Sequence, residues 1–302
     1  MRILITGSTG FIGRNLADLL ISENHEILEL TRDLDKSFGL FADKTKKLLI
    51  TSNQDELIEG IEAFKPEIVL HLAAFLSSSD DYITLNKLVE TNIVFLSRIL
   101  DAIKNTSISL FINTGTFAAI KNESNGFNPT YLYAATKEAA KSLIEYYAHT
   151  YNFKFTTIRP FTVYGGVDSN KKVIDIIIDS LDIDEQIEMT PGDQILDFVH
   201  IDDVVNFYSE IIKHHKLVIH KSELDLGTGV GYSIKELAIK IEQISGKNTN
   251  IKWGARPYRK NDILHAVANL DQMQLEFSFN PRIGLEEGLS RYLKCVKMGK
   301  IS

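Results

Sequence analysis

The chain has 302 residues, 44% hydrophobic and 24% charged, with a formal net charge of -7 at pH 7; that is globular composition, long enough to bury a full core. The acidic balance excludes a nucleic-acid scaffold, which needs clustered Lys and Arg on one face. A single cysteine, Cys295, and the lack of Cys/His pairs at finger spacing exclude a disulfide and a structural zinc site. With no signal-peptide pattern and no apolar run of spanning length, a cytoplasmic protein with a small-molecule partner, no membrane and no metal is expected.

In chain order, short apolar runs alternate with helical stretches, the pattern of βαβ units feeding a parallel sheet. Strands are predicted at Arg2 to Thr6, Glu26 to Thr31, Lys47 to Ile50, Ile68 to His71, Ser109 to Asn113 and Lys154 to Arg159. The clearest helices between them run from Tyr82 to Lys104 and from Tyr133 to Tyr151. After Gly165-Gly166 the elements become short and mixed: a helix near Val173 to Leu181, a strand at Phe198 to His200 and a helix from Asp203 to Lys213. A strand at Leu224 to Leu226 and helices at Ile234 to Ser245 and Leu285 to Cys295 follow. This second region interleaves with the first.

The first strand runs into Thr6-Gly-Ser-Thr-Gly-Phe-Ile-Gly13. Gly7, Gly10 and Gly13 permit a tight turn, close approach of backbone to a pyrophosphate and close packing of helix on strand. Exposed N–H groups and the helix dipole then face the phosphates, so the turn predicts a bound dinucleotide. Where NAD is used, the second strand normally ends in an acid that binds the ribose 2'-hydroxyl. Here it ends Leu30-Thr31-Arg32. A guanidinium there, joined by Arg14, suits a 2'-phosphate and favours NADP(H); the alternative is that Arg32 is a solvated charge and Glu29 supplies the acid for NAD(H).

Asn128-Pro-Thr-Tyr-Leu-Tyr133-Ala-Ala-Thr-Lys137 places a tyrosine and a lysine at i and i+4, on one face of a helix. A phenol with a pKa of about 10 is a poor proton relay at neutral pH, and an ammonium beside it is expected to lower that value. Upstream, Ile112-Asn-Thr114-Gly-Thr116 ends a strand with hydroxyls able to polarise a substrate oxygen.

With these landmarks the chain resembles the extended short-chain dehydrogenase/reductase family, the NAD(P)-dependent nucleotide-sugar epimerases, dehydratases and ketoreductases. The resemblance runs nearly end to end. It includes His71-Leu-Ala-Ala74, Ile158-Arg-Pro-Phe-Thr-Val-Tyr-Gly165, Asp197-Phe-Val-His-Ile-Asp-Asp203 and Leu226-Gly-Thr-Gly229. It implies a Rossmann-type doubly wound α/β sheet, with residues 1–165 and 197–226 binding the cofactor and a smaller α/β region, 166–196 and 227–302, binding the substrate. By it, Tyr133 is the general acid/base, Lys137 holds the nicotinamide ribose and tunes Tyr133, and Thr114 replaces the usual catalytic serine. It also assigns Thr9, Phe11, Ile12, Leu72, Ala73, Ala74, Asn92, Pro160 and Val163 to the cofactor. Thr116, Thr162 and Arg259 fall to the substrate, Arg259 on its diphosphate. The two long helices are implied as a homodimer interface.

Departures from the family pattern narrow the reaction. The Asp-Glu pair that sugar 4,6-dehydratases carry after the catalytic Thr is replaced by Gly115 and Thr116, which leaves dehydration without a proton shuttle. Epimerases of the family typically keep NAD, against which Thr31-Arg32 argues. Trp253-Gly-Ala and the stretch from Arg259 to Asn269 resemble the CDP-abequose and CDP-paratose synthase group, reductases of a nucleotide-linked 4-keto dideoxysugar. An NADPH-dependent 4-ketoreductase with a CDP- or TDP-sugar is therefore the expected function, in surface-polysaccharide biosynthesis, with a nucleotide-sugar 4-epimerase as alternative and a non-catalytic dinucleotide binder as a more distant one. Leu196 stands where the family usually has a phosphate-binding arginine, and Thr162 where a substrate-binding Asn is common. His71 and His200 read as packed histidines, His214 and His215 as helix-end groups and Tyr146, Tyr147 and Tyr151 as packing. Ser77 to Asp81 reads as a polar loop or a sugar contact.

Overall fold

A computed structural model describes residues 1–119, 129–166, 168, 171–259 and 261–297; the motif residues Asn128 and Lys260 lie outside the described residues. The first half runs β1 (Arg2–Thr6), α1 (Phe11–Ser22), β2 (Glu26–Thr31), α2 (Leu34–Phe41), β3 (Lys46–Leu49), α3 (Gln54–Phe64), β4 (Ile68–His71), α4 (Tyr82–Val89), α5 (Phe95–Ile103) and β5 (Leu110–Thr114). Then come α6 (Leu132–Tyr151), β6 (Lys154–Pro160), β7 (Thr162–Tyr164), α7 (Val173–Asp179), β8 (Ile187–Glu188), β9 (Ile195–His200), α8 (Ile201–Lys213) and β10 (Ser222–Leu226). The chain closes with β11 (Gly231–Ser233), α9 (Ile234–Ser245), β12 (Ile251–Lys252), β13 (His265–Ala266), α10 (Asp271–Phe277) and α11 (Leu285–Lys297).

Seven strands form one sheet in the order β10-β6-β5-β4-β1-β2-β3, every neighbouring pair parallel. Its central strands are apolar on both faces because helices cover both. On β1, Ile3 and Ile5 point into a core shared with Leu16 and Leu20 of α1 and Phe207 and Ile211 of α8. Leu4 points the other way, into a core with Ile61 of α3, Ile99 of α5 and Ile144 of α6. Strand order reverses between β1 and β4, the point where open α/β sheets bind ligands beyond the carboxyl ends of their strands. The expected doubly wound sheet is the one observed.

Several helices begin where short polar side chains take up free N–H groups. Asp33 accepts from the Lys36 amide, Asp81 from Thr84, and Ser233 forms a capping box with Glu236. The helix expected from Tyr82 to Lys104 is instead interrupted by a π-turn at Glu90–Val94. A wide turn there lets Asn92 face the loop after β4, and π-turns inside helices accommodate such contacts.

β9 lies outside the large sheet, pairing with β7 and β13 in parallel and β11 in antiparallel. It starts at Ile195, three residues before the expected Phe198, because Ile195 and Leu196 pair with β11 and β13. These strands pack with α7, α9 and α11 around Phe198, Ile177, Leu237 and Leu289, a third apolar core. Among the described residues no helix is long and apolar enough to cross a membrane.

Candidate active site

The glycine turn sits at the strand-order reversal and is shaped by sterics. Gly7 has φ +72, where L side chains are strained, and a Cβ on it would lie 2.7 Å from the Ala73 amide nitrogen. A Cβ on Gly13 would fall on the Gly7 carbonyl. Beside the turn, the Ala73 amide donates to Thr6 Oγ1 at 3.1 Å, and Thr6 Oγ1 and His71 Nδ1 are hydrogen-bonded at 3.0 Å. Burial, aided by the Lys137 charge, lowers the His71 imidazole to about 3, so His71 is a neutral packed group, as its apolar strand context suggests. The turn opens on a cavity of about 570 Å³. Gly7, Thr9 and Gly10, with Leu72, Ala73 and Ala74, line one side, and Thr31, Arg32, Asp33 and Lys36 line the other. A cradle that only glycine fits, under the N-terminus of α1, suits a dinucleotide pyrophosphate.

Glu29 is not available to a ribose at the end of β2. It is fully buried and accepts from Ser8 Oγ at 2.6 Å and Ser37 Oγ at 3.0 Å, and also from Thr45 Oγ1. Lys47 Nζ lies 3.7 Å away. The alternative in which Glu29 supplies the acid is thus corrected by the alternation of the strand, which turns Glu29 inward. Asp33 lines the same cavity, with its Oδ1 engaged by the Lys36 amide at 2.9 Å. Arg14 does not join Arg32. Its guanidinium lies 5.9 Å from the Phe11 ring centroid, one terminal nitrogen is buried without a partner, and it is absent from the cavity wall.

A second cavity, about 460 Å³, brings Thr114 and Tyr133 together, while Lys137 is not among the residues that line it. Phe11, Ile12 and Gly13, then Ala74, reach it from the cofactor side; Thr114, Gly115, Thr116 and Tyr133 face them, with Pro160, Phe161, Thr162 and Val163 along the edge. Thr114 is the last residue of β5, and its Oγ1 lies 2.7 Å from the Tyr208 hydroxyl of α8. Thr116 is nearly buried, its Oγ1 accepting from the Ala118 amide at 3.2 Å. A Cβ on Gly115 would come within 2.8 Å of Thr157 Cγ2 and 3.2 Å of Arg159 Cγ, so a larger side chain there must displace the Thr157 side chain.

The tuning of Tyr133 differs from the expectation. Burial raises its phenol to about 12 rather than an ammonium lowering it. Lys137 is itself buried and lowered to about 8 by desolvation, and it makes no hydrogen bond or ion pair among the described residues. Desolvation outweighs attraction across one helical turn. Asn92 is also sealed away: Oδ1 accepts from the Phe75 amide at 2.9 Å, and Nδ2 donates to Phe75 O at 3.2 Å and Thr136 Oγ1 at 3.0 Å. Thr136 in turn donates to the Tyr133 carbonyl at 2.8 Å. The side chain of Asn92 thereby ties the loop after β4 to the helix carrying Tyr133.

Arg259 is placed on a neighbouring cavity with Ser78, Asp80 and Tyr131. Tyr131 also lines the catalytic cavity and forms the wall between the two; burial, with the Asp262 carboxylate nearby, raises its phenol. Leu196 packs against Phe161, Ala266 and Ala268, an apolar setting. Lys172 reaches the catalytic cavity instead, donating to Val163 O at 2.9 Å, pairing with Asp168 at 2.8 Å and lying 4.0 Å from the Phe11 ring centroid. Lys172 escapes the sequence reading because it reaches the cavity only through the fold, and Tyr131, two residues before Tyr133, is passed over although it lies in the same motif. His200 Nδ1 accepts from the Asp202 amide at 3.2 Å and its ring packs edge-on against Tyr164, in keeping with a packed histidine. Among the described residues no group of three or more His, Cys, Asp or Glu is placed to hold a metal ion.

A parallel sheet with a glycine cradle at its reversal point, sharing a cavity with a tyrosine and a threonine, defines an α/β enzyme built around a dinucleotide. Residues 3–227 match the model of the NAD dependent epimerase/dehydratase family, and the chain belongs to that family. It is 30% identical over 298 residues to CDP-abequose synthase of Salmonella typhimurium, covering 96% of this chain and 97% of that one. It is 25% identical over 264 residues to the CDP-abequose synthase of Yersinia pseudotuberculosis, covering 87% and 91%. Among solved structures, the UDP-glucose 4-epimerase of Thermotoga maritima superposes with a TM-score of 0.87 at 22% identity, over 99% of this chain and 100% of that one, a likeness of fold.

Proposed function

We propose that the protein is an NADPH-dependent reductase of a 4-keto-deoxysugar joined to a nucleoside diphosphate, with CDP or TDP the favoured carriers, serving surface-polysaccharide synthesis. The observation that carries this reading is Thr114 and Tyr133 on one cavity beside a Gly115 that offers no acid or base and whose Cβ position is crowded by Thr157. Eliminating water across two ring carbons needs a further acid and base next to Thr114, whereas reducing a ketone needs one proton donor and one group to hold the oxygen. Bound NADPH supplies the hydride. Tyr133, protonated at neutral pH, delivers the proton to the substrate oxygen, which Thr114 holds by a hydrogen bond. Lys137 holds the nicotinamide ribose.

Arg32 and Lys36 on the cavity wall, with Glu29 sealed inside, support a 2'-phosphate over a free 2'-hydroxyl. The likeness to CDP-abequose synthases supports a CDP-sugar. In this reading residues 1–165 and 197–226 serve the cofactor and 166–196 with 227–302 the substrate. Arg259 and Lys172 meet the substrate's phosphates, and Thr116 and Thr162 meet its sugar. The reaction belongs to the cytoplasm, and two copies associate through the outer faces of α4 and α6.

The test follows NADPH absorbance with CDP-, TDP-, UDP- and GDP-linked 4-keto-6-deoxysugars. Oxidation with at least one of them, faster than with NADH, is the expected result, together with a loss of at least about 100-fold in kcat for Tyr133→Phe while NADPH binding persists. Interconversion of nucleotide sugars on tightly held NAD, with no net consumption, makes the protein a 4-epimerase instead. Cofactor binding with no turnover of any sugar makes it a non-catalytic binder.

A further inference from the structure

Tyr208 lies on α8, 94 residues from Thr114 in sequence, and is 0% exposed. Its side chain fills the core beneath the large sheet, and its hydroxyl meets Thr114 Oγ1 at 2.7 Å, directly behind the catalytic cavity. The distance alone leaves the donor open. Burial decides it. A tyrosine hydroxyl has one proton, a threonine hydroxyl one proton and two acceptor positions. Among the described residues Thr114 Oγ1 is the one acceptor within reach of the Tyr208 proton. If Thr114 donated to Tyr208, that buried proton would have no acceptor, and Thr114 would show the cavity only lone pairs. If Tyr208 donates, its own proton is satisfied and the Thr114 proton is free to point into the cavity.

We propose that Tyr208 is a positioning residue for the reaction: its phenol donates to Thr114 Oγ1 and so turns the Thr114 proton toward the substrate oxygen. The proposal rests on the reductase reading, in which Thr114 holds that oxygen. Burial keeps the Tyr208 phenol well above the ordinary tyrosine range, outweighing the hydrogen bond to Thr114, which acts to lower it, so Tyr208 remains protonated at every working pH. Tyr208 touches neither substrate nor cofactor. It acts through the threonine, polarising an oxygen on which negative charge grows as the ketone is reduced, so its effect belongs in kcat rather than in KM.

The experiment is a double-mutant cycle on the full chain with Tyr208→Phe, Thr114→Ala and both together, reading kcat, KM for the keto-sugar and for NADPH, and the melting temperature. Tyr208→Phe should lower kcat about tenfold with both KM values within about twofold. In the Thr114→Ala background the same change should have no further effect on kcat, because the group through which it acts is gone. Thr114→Ser, which keeps the hydroxyl, should retain dependence on Tyr208 and guards against a Thr114→Ala chain that does not fold. An unaltered kcat in Tyr208→Phe, with only a lower melting temperature, overturns the proposal and leaves Tyr208 a packing residue. An equal loss of kcat in both backgrounds also overturns it. Absence of wild-type turnover with every keto-sugar overturns the reductase reading and this proposal with it, whereas wild-type turnover indifferent to Tyr208 overturns this proposal alone.

Discussion

Lys137 carries its charge into a place that disfavours it. Its pKa is lowered to about 8 in the folded chain, against about 10.5 for an ordinary lysine, with burial the cause. Between those values the unfolded chain binds more protons than the folded one, so this group raises stability as pH climbs through the window. Below pH of about 8 the cost of burying the ammonium is present in full, on the order of 3 kcal/mol. Ribose hydroxyls that accept from the ammonium favour its protonated form. Cofactor affinity should therefore fall as pH rises through about 8, and Lys137→Met should weaken binding about tenfold and flatten the pH dependence. Fluorescence titration of NADPH from about pH 7 to about pH 10 measures both; parallel curves for the two proteins would show that Lys137 does not meet the ribose. The spacing of Tyr133 and Lys137 is legible in sequence, because i and i+4 share a helix face. The direction of their pKa shifts is not, because it depends on how much protein covers them.

At the scale of elements, β9 is held to its neighbours by one buried carboxylate. Asp197 accepts from the Thr228 amide at 2.8 Å and Thr228 Oγ1 at 2.7 Å, and from the Gly229 amide at 2.8 Å and the Ala268 amide at 3.2 Å. It thereby joins β9 to the loop after β10 and to the approach of α10. Asp197→Ala leaves the buried Ala268 amide and the part-buried Thr228 and Gly229 donors without their acceptor and should cost about 2 kcal/mol, read from the urea midpoint. A midpoint unchanged within error would mean that water replaces the carboxylate. The Asp197-Phe-Val-His and Leu226-Gly-Thr-Gly229 motifs stand out in sequence, yet nothing local says that one clasps the other. The π-turn at Asn92 is similar. Apolar spacing from Tyr82 to Lys104 reads as one helix, and the interruption follows from a hydrogen bond to Phe75, a residue of another element.

For the molecule as a whole, the outer faces of α4 and α6 stand out. Tyr82 is 74%, Ile83 69% and Tyr146 62% exposed. Exposed apolar side chains on two adjoining helices, Tyr82 and Ile83 at the start of α4 and Tyr146 in the last two turns of α6, are what a two-fold interface running along both helices would cover. If they do so, the protein sediments at twice the chain mass, and Ile83→Asp combined with Tyr146→Asp shifts it to one chain mass with the fold intact by circular dichroism. A wild type that sediments as a monomer at about 10 micromolar, a concentration that populates dimers with Kd near 1 micromolar, would end the proposal. Tyr146 and Tyr147 meet edge-on and Tyr147 stacks on Tyr151, so the packing expected of this aromatic run holds within the helix and leaves Tyr146 facing outward.

What the sequence determined by itself is local: the strand, glycine turn and helix at the N-terminus, the alternation that builds a parallel sheet, and the pairing of Tyr133 with Lys137. Each depends on backbone sterics or side-chain spacing within a few residues, which amino-acid identity specifies directly. Tertiary structure decided what these groups meet. It turned Glu29 inward onto Ser8 and Ser37, leaving Arg32 and Lys36 at the cavity, and brought Tyr208 behind Thr114. It also set the burial that raises Tyr133 and lowers Lys137. Desolvation and long-range hydrogen bonds depend on which segments close over a residue, and that is a property of the folded chain as a whole.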